Sequence, residues 1–464
     1  MDIKIGNMDA LFYPKSVAVI GASANPAKLG FHVMKSLTRG GYQGKILPIN
    51  PGSKEIMGLK AFPSLAVLDN EIDLAIVVVP AKIVPAVFEE CAAKGVKGIV
   101  LIAAGFKEID DPQGESLHEQ LTEIVDRAHI PVIGPNTFGM VNLHSMLNAS
   151  FTPEFSLLKK GNIGLVSQSG GISHLLSFLA IRSGIGFSKI VGIGNRLNVD
   201  FAQMVDYLMH DPDTDVIMLY MEGVERPNQL INIAGNFRGK KPIIAYKTGT
   251  GDLGNKASRS HTGSLAGNKE IYSGAFSQAG ILTVNSAEDL LDTAKALAVS
   301  PVPGGPGVAI LSSQAGPGIA AADICQMGGL TIASFTSNTQ NRINEILPPL
   351  ALRVNPVDMG PAWYNPDAIV GILQAVIEDE NVSGILLFMM FASANIDSIK
   401  GFSFLIEDKM PKKPLIACLS APPGIWDKHI EHFEEAGILV NFPTPERAAK
   451  VMVNLNRYRN LIHA

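Results

Sequence analysis

From about residue 160 onward the chain writes one unit twice, and this duplication limits the folds open to it more than any other feature. Gly164-Leu165-Val166-Ser167-Gln168-Ser169-Gly170-Gly171-Ile172 returns as Ala309-Ile310-Leu311-Ser312-Ser313-Gln314-Ala315-Gly316-Pro317-Gly318-Ile319. Asp215–Met221 returns as Val382–Phe388, Lys240-Lys241-Pro242-Ile243-Ile244 as Lys412-Lys413-Pro414-Leu415-Ile416, and Ala279-Gly280-Ile281-Leu282 as Ala436-Gly437-Ile438-Leu439. Repeats of well over 100 residues are duplicated domains rather than solenoid units. Each copy alternates apolar strand runs with helical stretches, which predicts a small flavodoxin-like parallel sheet. Ser300-Pro301-Val302-Pro303-Gly304-Gly305-Pro306-Gly307, rich in turn-formers, is the expected hinge between them.

The copies differ in one place. From the proline of Lys-Lys-Pro to the alanine of Ala-Gly-Ile-Leu, the first copy takes 37 steps (242 to 279) and the second 22 (414 to 436). The excess lies between Thr248 and Lys269, within which stands Ser260-His261-Thr262-Gly263-Ser264-Leu265-Ala266-Gly267. An imidazole among small residues is open to approach, and a neutral imidazole is a competent nucleophile near pH 7. A loop histidine that merely caps a helix is the plain alternative. Each copy also runs a strand into a Ser-Gln-x-Gly turn (Ser167–Gly170, Ser313–Gly316) and then a helix, a junction that aims N–H groups and a helix dipole at one spot. Ser167, Ser169, Gly170 and Gly171 in one copy, and Gly316 and Gly318 in the other, are the phosphate-binding candidates. Glu222 follows the first copy's strand Val216–Met221, where its carboxylate can accept the imidazole Nδ1–H and leave Nε2 free. A solvated strand-end acid is the alternative. The second copy's strand ends Met389-Met390-Phe391-Ala392, with no carboxylate.

Residues 1–143 read as a separate doubly wound sheet. Strands are expected at Ser16–Ile20, Lys45–Ile49, Leu74–Val79, Gly98–Ile102 and Pro131–Ile133, with helices near Ile83–Lys94 and Gly114–Ala128. Gly21-Ala22-Ser23 follows the first strand and suits a phosphate-bearing cofactor. The spacing is not G-x-G-x-x-G, and the second strand ends at Asn50-Pro51 where a nicotinamide dinucleotide calls for a carboxylate. Lys54 stands nearby instead, a cation suited to phosphate. With Pro80, Gly105 and Phe106 also near strand C-terminal ends, coenzyme A fits the set better than NAD. A nicotinamide-dependent oxidoreductase and a non-catalytic CoA-binding sensor stay open as alternatives.

Composition narrows the function classes. A net charge of −5 gives no electrostatic footprint for nucleic acid or an anionic membrane. The longest apolar runs, such as Gly384–Ala392, are half a membrane span, and the N-terminus lacks a signal-peptide core. Cys91, Cys325 and Cys418 have no metal-ligand spacing and read as reduced core residues of a cytoplasmic protein. No metal site is expected.

On Ser260–Gly267, Ser167-Gln168-Ser169-Gly170-Gly171, Tyr220-Met221-Glu222-Gly223, Gly134-Pro135-Asn136 and the Gly-Ala-Ser turn, the chain resembles the α subunits of ADP-forming acyl-CoA synthetases, relatives of the succinyl-CoA synthetase α subunit. The likeness extends over essentially all 464 residues. It implies a Rossmann-like CoA-binding domain at 1–143, a flavodoxin-like domain with the phosphohistidine loop at 144–300, and a second flavodoxin-like domain at 301–464. It implies a phosphohistidine at His261 steadied by Glu222, with the helices opening after Ser169 and Gly316 holding its phosphate. It further implies conversion of acyl-CoA, phosphate and ADP to acid, CoA and ATP. No ATP-grasp nucleotide clamp and no P-loop is found in the sequence. ADP/ATP with Mg²⁺ is therefore expected on a separate ATP-grasp β subunit, in a heterotetramer.

Overall fold

The computed structural model describes residues 5–251, 269–403, 405 and 413–463. These form three main sheets, in an α/β arrangement. The first contains β1 (Ser16–Ile20), β2 (Lys45–Ile49), β5 (Leu74–Val77), β6 (Gly98–Leu101) and β7 (Val132–Ile133), in the all-parallel order β2-β1-β5-β6-β7. A hairpin of β3 (Glu55–Ile56) and β4 (Leu59–Lys60) stands apart from it. β1, β5 and β6 are buried at every position, as strands covered on both faces must be.

The second sheet follows with β8 (Gly139–Asn142), β9 (Leu147–Ser150), β10 (Lys159–Ser167), β11 (Gly186–Gly192), β12 (Val216–Met221), β13 (Ile243–Lys247) and β14 (Ile281–Val284). Its order is β14-β13-β12-β10-β11-β8-β9. The last two are antiparallel additions to the expected parallel sheet, with Val141 opposite Ile190. The expected domain border at 143/144 thus falls in the turn of a hairpin already committed to the second sheet.

One compact unit, Met1–Ala287, holds both sheets. The helix Ile5–Phe12 is a main reason. Leu11 lies so close to β6 that a Cβ on Gly98 would stand 2.9 Å from its Cδ2, while Phe12 stacks on Tyr207 at 4.7 Å. Tyr207 belongs to the helix Phe201–His210 of the second sheet, so the two sheets share one apolar core.

The second unit, Glu288–Ala464, contains β15 (Gly307–Ser312), β16 (Thr331–Ile332), β17 (Val357–Asp358), β18 (Gly384–Met390), β19 (Leu415–Ser420) and β20 (Val440–Asn441). β16-β15-β18-β19-β20 form a parallel path, with β17 also on β15. The duplication is visible in register. Ser167 pairs with Tyr220 as Ser312 pairs with Phe388, and Met221 pairs with Lys247 as Met389 pairs with Leu419. The turns before β14 and β20 both use a left-handed glycine, Gly280 (φ 76°) and Gly437 (φ 69°).

The copies part where β11 has its counterpart. Seven continuous residues in the first copy become two short strands in the second. β16 covers Gly307 and Val308, and β17 covers Leu311 and Ser312. Asn355 fills the gap: its Nδ2 donates to Val308 O (2.8 Å) and Ala333 O (2.9 Å), while its Oδ1 accepts from Ile310 N (2.9 Å). One side-chain amide stands in for missing ladder bonds, as buried backbone groups require.

The unit boundary lies before the Pro-Gly hinge. The helix Ala287–Val299 is held to the last helix, Pro445–His463, by Arg447, whose Nε and Nη2 bond both oxygens of Asp292 (2.7 and 2.6 Å). Asn454 donates to Thr293 and Lys450 pairs with Asp289. Asp292 is 4 % exposed, so removing its partner strands a buried carboxylate. Arg447→Met is expected to destabilise this unit by about 3 kcal/mol. Urea unfolding followed by fluorescence of Trp363 and Trp426 measures it, and an unchanged midpoint contradicts the boundary at 287/288.

Candidate active site

The first sheet reverses direction between β1 and β5, since the chain goes from β1 out to β2 and returns on the other side. Ligands of doubly wound folds sit at the strand C-terminal ends of such a point. A crevice of about 420 Å³ opens there, lined by Gly21, Ala22, Ser23, Lys28, Leu29, Gly30, Asn50, Val78, Val79, Pro80 and Ala103. Two glycines make it. Gly21 has φ 93°, and a Cβ on Gly30 would stand 2.0 Å from Gly21 O. The helix Leu29–Arg39 therefore starts directly on the Gly21 turn, and no side chain caps its N-terminus. Asn50 holds the rim, donating to Ala22 O and accepting from Gly52 N, both at 2.8 Å.

Five expected residues, Gly21, Ala22, Ser23, Asn50 and Pro80, line this crevice. Pro51 and Lys54 are exposed and lie outside its wall. The Phe106 side chain is fully buried in the core of the first sheet, which leaves only its backbone to meet a ligand. Gly105 (φ 112°) and Asn136 (φ 56°) are turn residues also outside the crevice wall. Lys28 and Gly30 were missed, because the helix start was read from apolar periodicity and its first N–H groups carry no side-chain signal.

A second rim lies at the C-terminal ends of three neighbouring strands, β10, β12 and β13. After β10, Ser167 Oγ donates to Ser169 O (2.9 Å), and Ser169 caps the helix Gly170–Ser183, accepting from Ile172 N. Among the described residues a Cβ on Gly170 would meet nothing within 4 Å. After β12 comes Glu222, part-buried, whose backbone is gripped twice. Its N–H donates to Gln168 Oε1 (2.9 Å), and its carbonyl accepts from Lys247 Nζ (2.8 Å). Lys247 ends β13, and its Nζ also donates to Thr248 O (2.5 Å) and lies 5.0 Å from the Tyr272 ring centroid. Burial pushes the Lys247 ammonium down to about 8, with the Glu222 carboxylate pulling the other way. His261 lies outside the described residues. The chain leaves for its segment after β13 and re-enters description at the helix Lys269–Gln278 that bears Tyr272.

In the second unit the equivalent helix, Ala315–Met327, starts after Gln314 without a side-chain cap. Register moves the pairing of the two turns by one residue. Gln168 N donates to Tyr220 O as Ser313 N donates to Phe388 O, so Ser169 corresponds to Gln314 and Gly171 to Gly316. Two consecutive serines, Ser312 and Ser313, hide this in the sequence. Gly316 is exposed with open space around it. Gly318 is buried and faces the strand instead: its Cβ would stand 3.3 Å from Ser312 Cβ, so its small size serves helix-on-strand packing.

Residues the sequence did not flag tie crevice side to rim. Glu108 accepts from Gly105 N (2.6 Å), Phe106 N (3.2 Å) and Asn195 Nδ2 (2.6 Å). Lys107 pairs with Glu225 (2.9 Å), which meets Arg196, and Arg196 Nη1 donates to Gly223 O. Burial raises the Glu225 carboxyl, but Lys107 and then Arg196 outweigh it and hold the group below its ordinary range.

Lys247 gives a pH signature. Its folded value of about 8 is below the ordinary 10.5, so the unfolded chain binds more protons between these limits. The burial penalty is fully present below pH 8 and is relieved as pH rises toward 10.5. Lys247→Leu should remove this upward slope of stability, measured by denaturant titration at pH 7.5, 9 and 10. Parallel profiles for the two proteins contradict a buried, cationic Lys247.

Comparison with known proteins follows the same division. Residues 15–142 match the family described as a CoA binding domain, and residues 160–297 that described as a succinyl-CoA ligase like flavodoxin domain. The acetate–CoA ligase [ADP-forming] II subunit alpha of Pyrococcus furiosus is 37% identical over 449 residues, 96% of this chain and 95% of that one. The acetate–CoA ligase [ADP-forming] I of Archaeoglobus fulgidus is 38% identical over 98% of this chain, which spans 64% of that longer relative. Among solved structures, the dinucleotide forming acetyl-coenzyme A synthetase 1 of Ca. Korarchaeum cryptofilum, in complex with phosphate and ADP, superposes with a TM-score of 0.90. It is 32% identical, with 98% of this chain and 97% of that one covered.

Proposed function

Because the chain belongs to the family of ADP-forming acetate–CoA ligase α subunits, we propose that it is the α subunit of an acyl-CoA synthetase. The reaction is reversible: acyl-CoA, phosphate and ADP give acid, CoA and ATP. CoA takes the β1/β5 crevice, where Gly21 and Gly30 let backbone approach a pyrophosphate and the helix Leu29–Arg39 opens toward it. The match of residues 15–142 to a CoA binding domain favours this over a nicotinamide cofactor. Lys28 then supplies the cation first assigned to Lys54, which remains open to a more distant phosphate of the same ligand.

The observation that carries the reading is the sharing of one rim by three strand ends. The capped helix Gly170–Ser183, the acid Glu222 and the departure of the His261 segment follow adjacent strands β10, β12 and β13. In this reading phosphate attacks the thioester carbonyl, thiolate leaves, and an acyl phosphate forms. His261 Nε2 takes the phosphoryl group and releases the carboxylate, while Glu222 accepts the Nδ1 proton. Ser167, Ser169, Gly170 and Gly171 supply the helix start that carries the phosphoryl charge. The helix after Gln314, with Gly316 at its first turn, is read as an anion-binding start of the same kind. Such catalysis is positioning and electrostatic stabilisation of phosphoryl oxygens.

The relatives named as α subunits support a partner subunit for this chain. We take that partner to be an ATP-grasp β subunit holding ADP with Mg²⁺, in a cytoplasmic assembly. Among the described residues no helix is long and apolar enough to cross a membrane, and no acidic or His/Cys cluster could hold a metal.

Incubation with acyl-CoA and radiolabelled phosphate tests the reaction. Wild type should acquire acid-labile, base-stable label, and His261→Asn none. Equal labelling of the two proteins refutes the phosphohistidine.

A further inference from the structure

Gln168 leaves a donor unused. Its Oε1 accepts from both Glu222 N (2.9 Å) and Gly223 N (3.0 Å), and only an amide oxygen can accept, so the two ends of the amide are not interchangeable. Nε2 is buried and has no hydrogen-bond partner among the described residues, in a residue only 7 % exposed. An unmet buried donor is costly, and native chains seldom keep one without a reason. The two bonds to Oε1 set the amide against the Glu222-Gly223 turn, and Gln168 itself stands two residues before the helix Gly170–Ser183. At that helix start, a Cβ on Gly170 would meet nothing within 4 Å among the described residues. The start of a 14-residue helix thus follows within two residues of an amide whose donor is unmet among the described residues.

The duplicated copy acts as an internal control. By register, Ser313 stands where Gln168 does and Met390 where Glu222 does. Ser313 Oγ accepts from Met390 N (3.4 Å), one of the two N–H positions that Gln168 holds, while Phe391 N turns to Ser420 O (2.8 Å); the Ser313 proton goes to Gln314 Oε1 (2.6 Å). Holding that backbone therefore does not require a carboxamide. The unused donor occurs in the copy with Glu222 and the added loop.

We propose that Gln168 Nε2 donates a hydrogen bond to a phosphoryl oxygen bound at the start of the helix Gly170–Ser183. Inorganic phosphate and the transferred phosphoryl group are its ligands. The inference rests on reading this rim as the phosphate end of the site. It adds a side-chain donor to the backbone N–H groups already assigned, and it makes Gln168 a catalytic residue in its own right.

Gln168→Glu is the informative change, because it keeps an oxygen for Glu222 N and Gly223 N, removes the donor and sets a negative charge against phosphate. Calorimetric titration of the full chain with inorganic phosphate should show affinity weakened about 10- to 100-fold. CoA affinity and the thermal unfolding midpoint should stay at wild-type values. If the midpoint falls, Gln168→Ser, which places at this position the residue that holds the matching backbone in the second copy, is titrated in its place and should also weaken phosphate binding, by less because it adds no charge. Wild-type phosphate affinity in the variant, or no phosphate binding by the wild-type chain, overturns the proposal. His261→Asn separates this from the phosphohistidine: it should take up no label yet bind phosphate normally. Labelling of His261→Asn removes that histidine's role, while the phosphate titration of Gln168→Glu still decides the donor.

Discussion

The peptides flanking Glu222 are held from two sides, and the chemistry proposed for the rim depends on that grip. Gln168 takes the N–H and Lys247 the carbonyl, so the strand end has little freedom to turn the carboxylate away. Both restraints come from neighbouring strands, which fix their own ends by the parallel ladder. The cost is a part-buried ammonium whose charge is disfavoured down to about pH 8, and a buried amide with one donor unmet among the described residues. A scaffold selected for stability alone would keep neither. Local conflict of this kind is typical of functional sites.

The second copy shows what the same backbone becomes without that demand. Along matched register, Glu222, Lys247 and Gln168 are replaced by Met390, Leu419 and Ser313. The acid and the cation become apolar together, and the amide becomes a hydroxyl that satisfies itself locally. Correlated loss of all three argues that they serve one site rather than three separate packing needs. The second copy instead diverges at β16 and β17, where Asn355 repairs a divided strand.

Much of this architecture was legible in the sequence, for identifiable reasons. Parallel strands buried on both faces leave continuous apolar runs, so β1, β2, β6, β10 and β12 stood out, as did their glycine turns. Glu222 was singled out because a charge directly after such a run is conspicuous. Lys247 was not, since a lysine near a strand end ordinarily reads as solvated, and only the neighbouring strand's carbonyl reveals its task. Gly318 misled because a glycine needed for close packing and one needed for ligand approach have the same letter. The boundary at 287/288 was hidden because the Pro-Gly hinge signals a break in regular structure. It does not say which side the preceding helix packs on.

The two parts of the site are also joined mechanically within the first unit. The turn after β6 is fixed by Glu108, Glu108 is bonded to Asn195 of the loop after β11, and Arg196 reaches Gly223 beside Glu222. A shift of the Gly105-Phe106 turn would therefore strain the peptide that Gln168 also holds. These bonds are charge-assisted and largely buried, so they resist rearrangement more than surface pairs of equal length. Two domains that were only neighbours would need none of this, because the shared core around Phe12 and Tyr207 already holds them together. The polar chain adds position rather than cohesion. It ties the turn after β6 to the turn that carries the strand-end acid, as the reaction proposed here, which begins on one ligand and ends on another, requires.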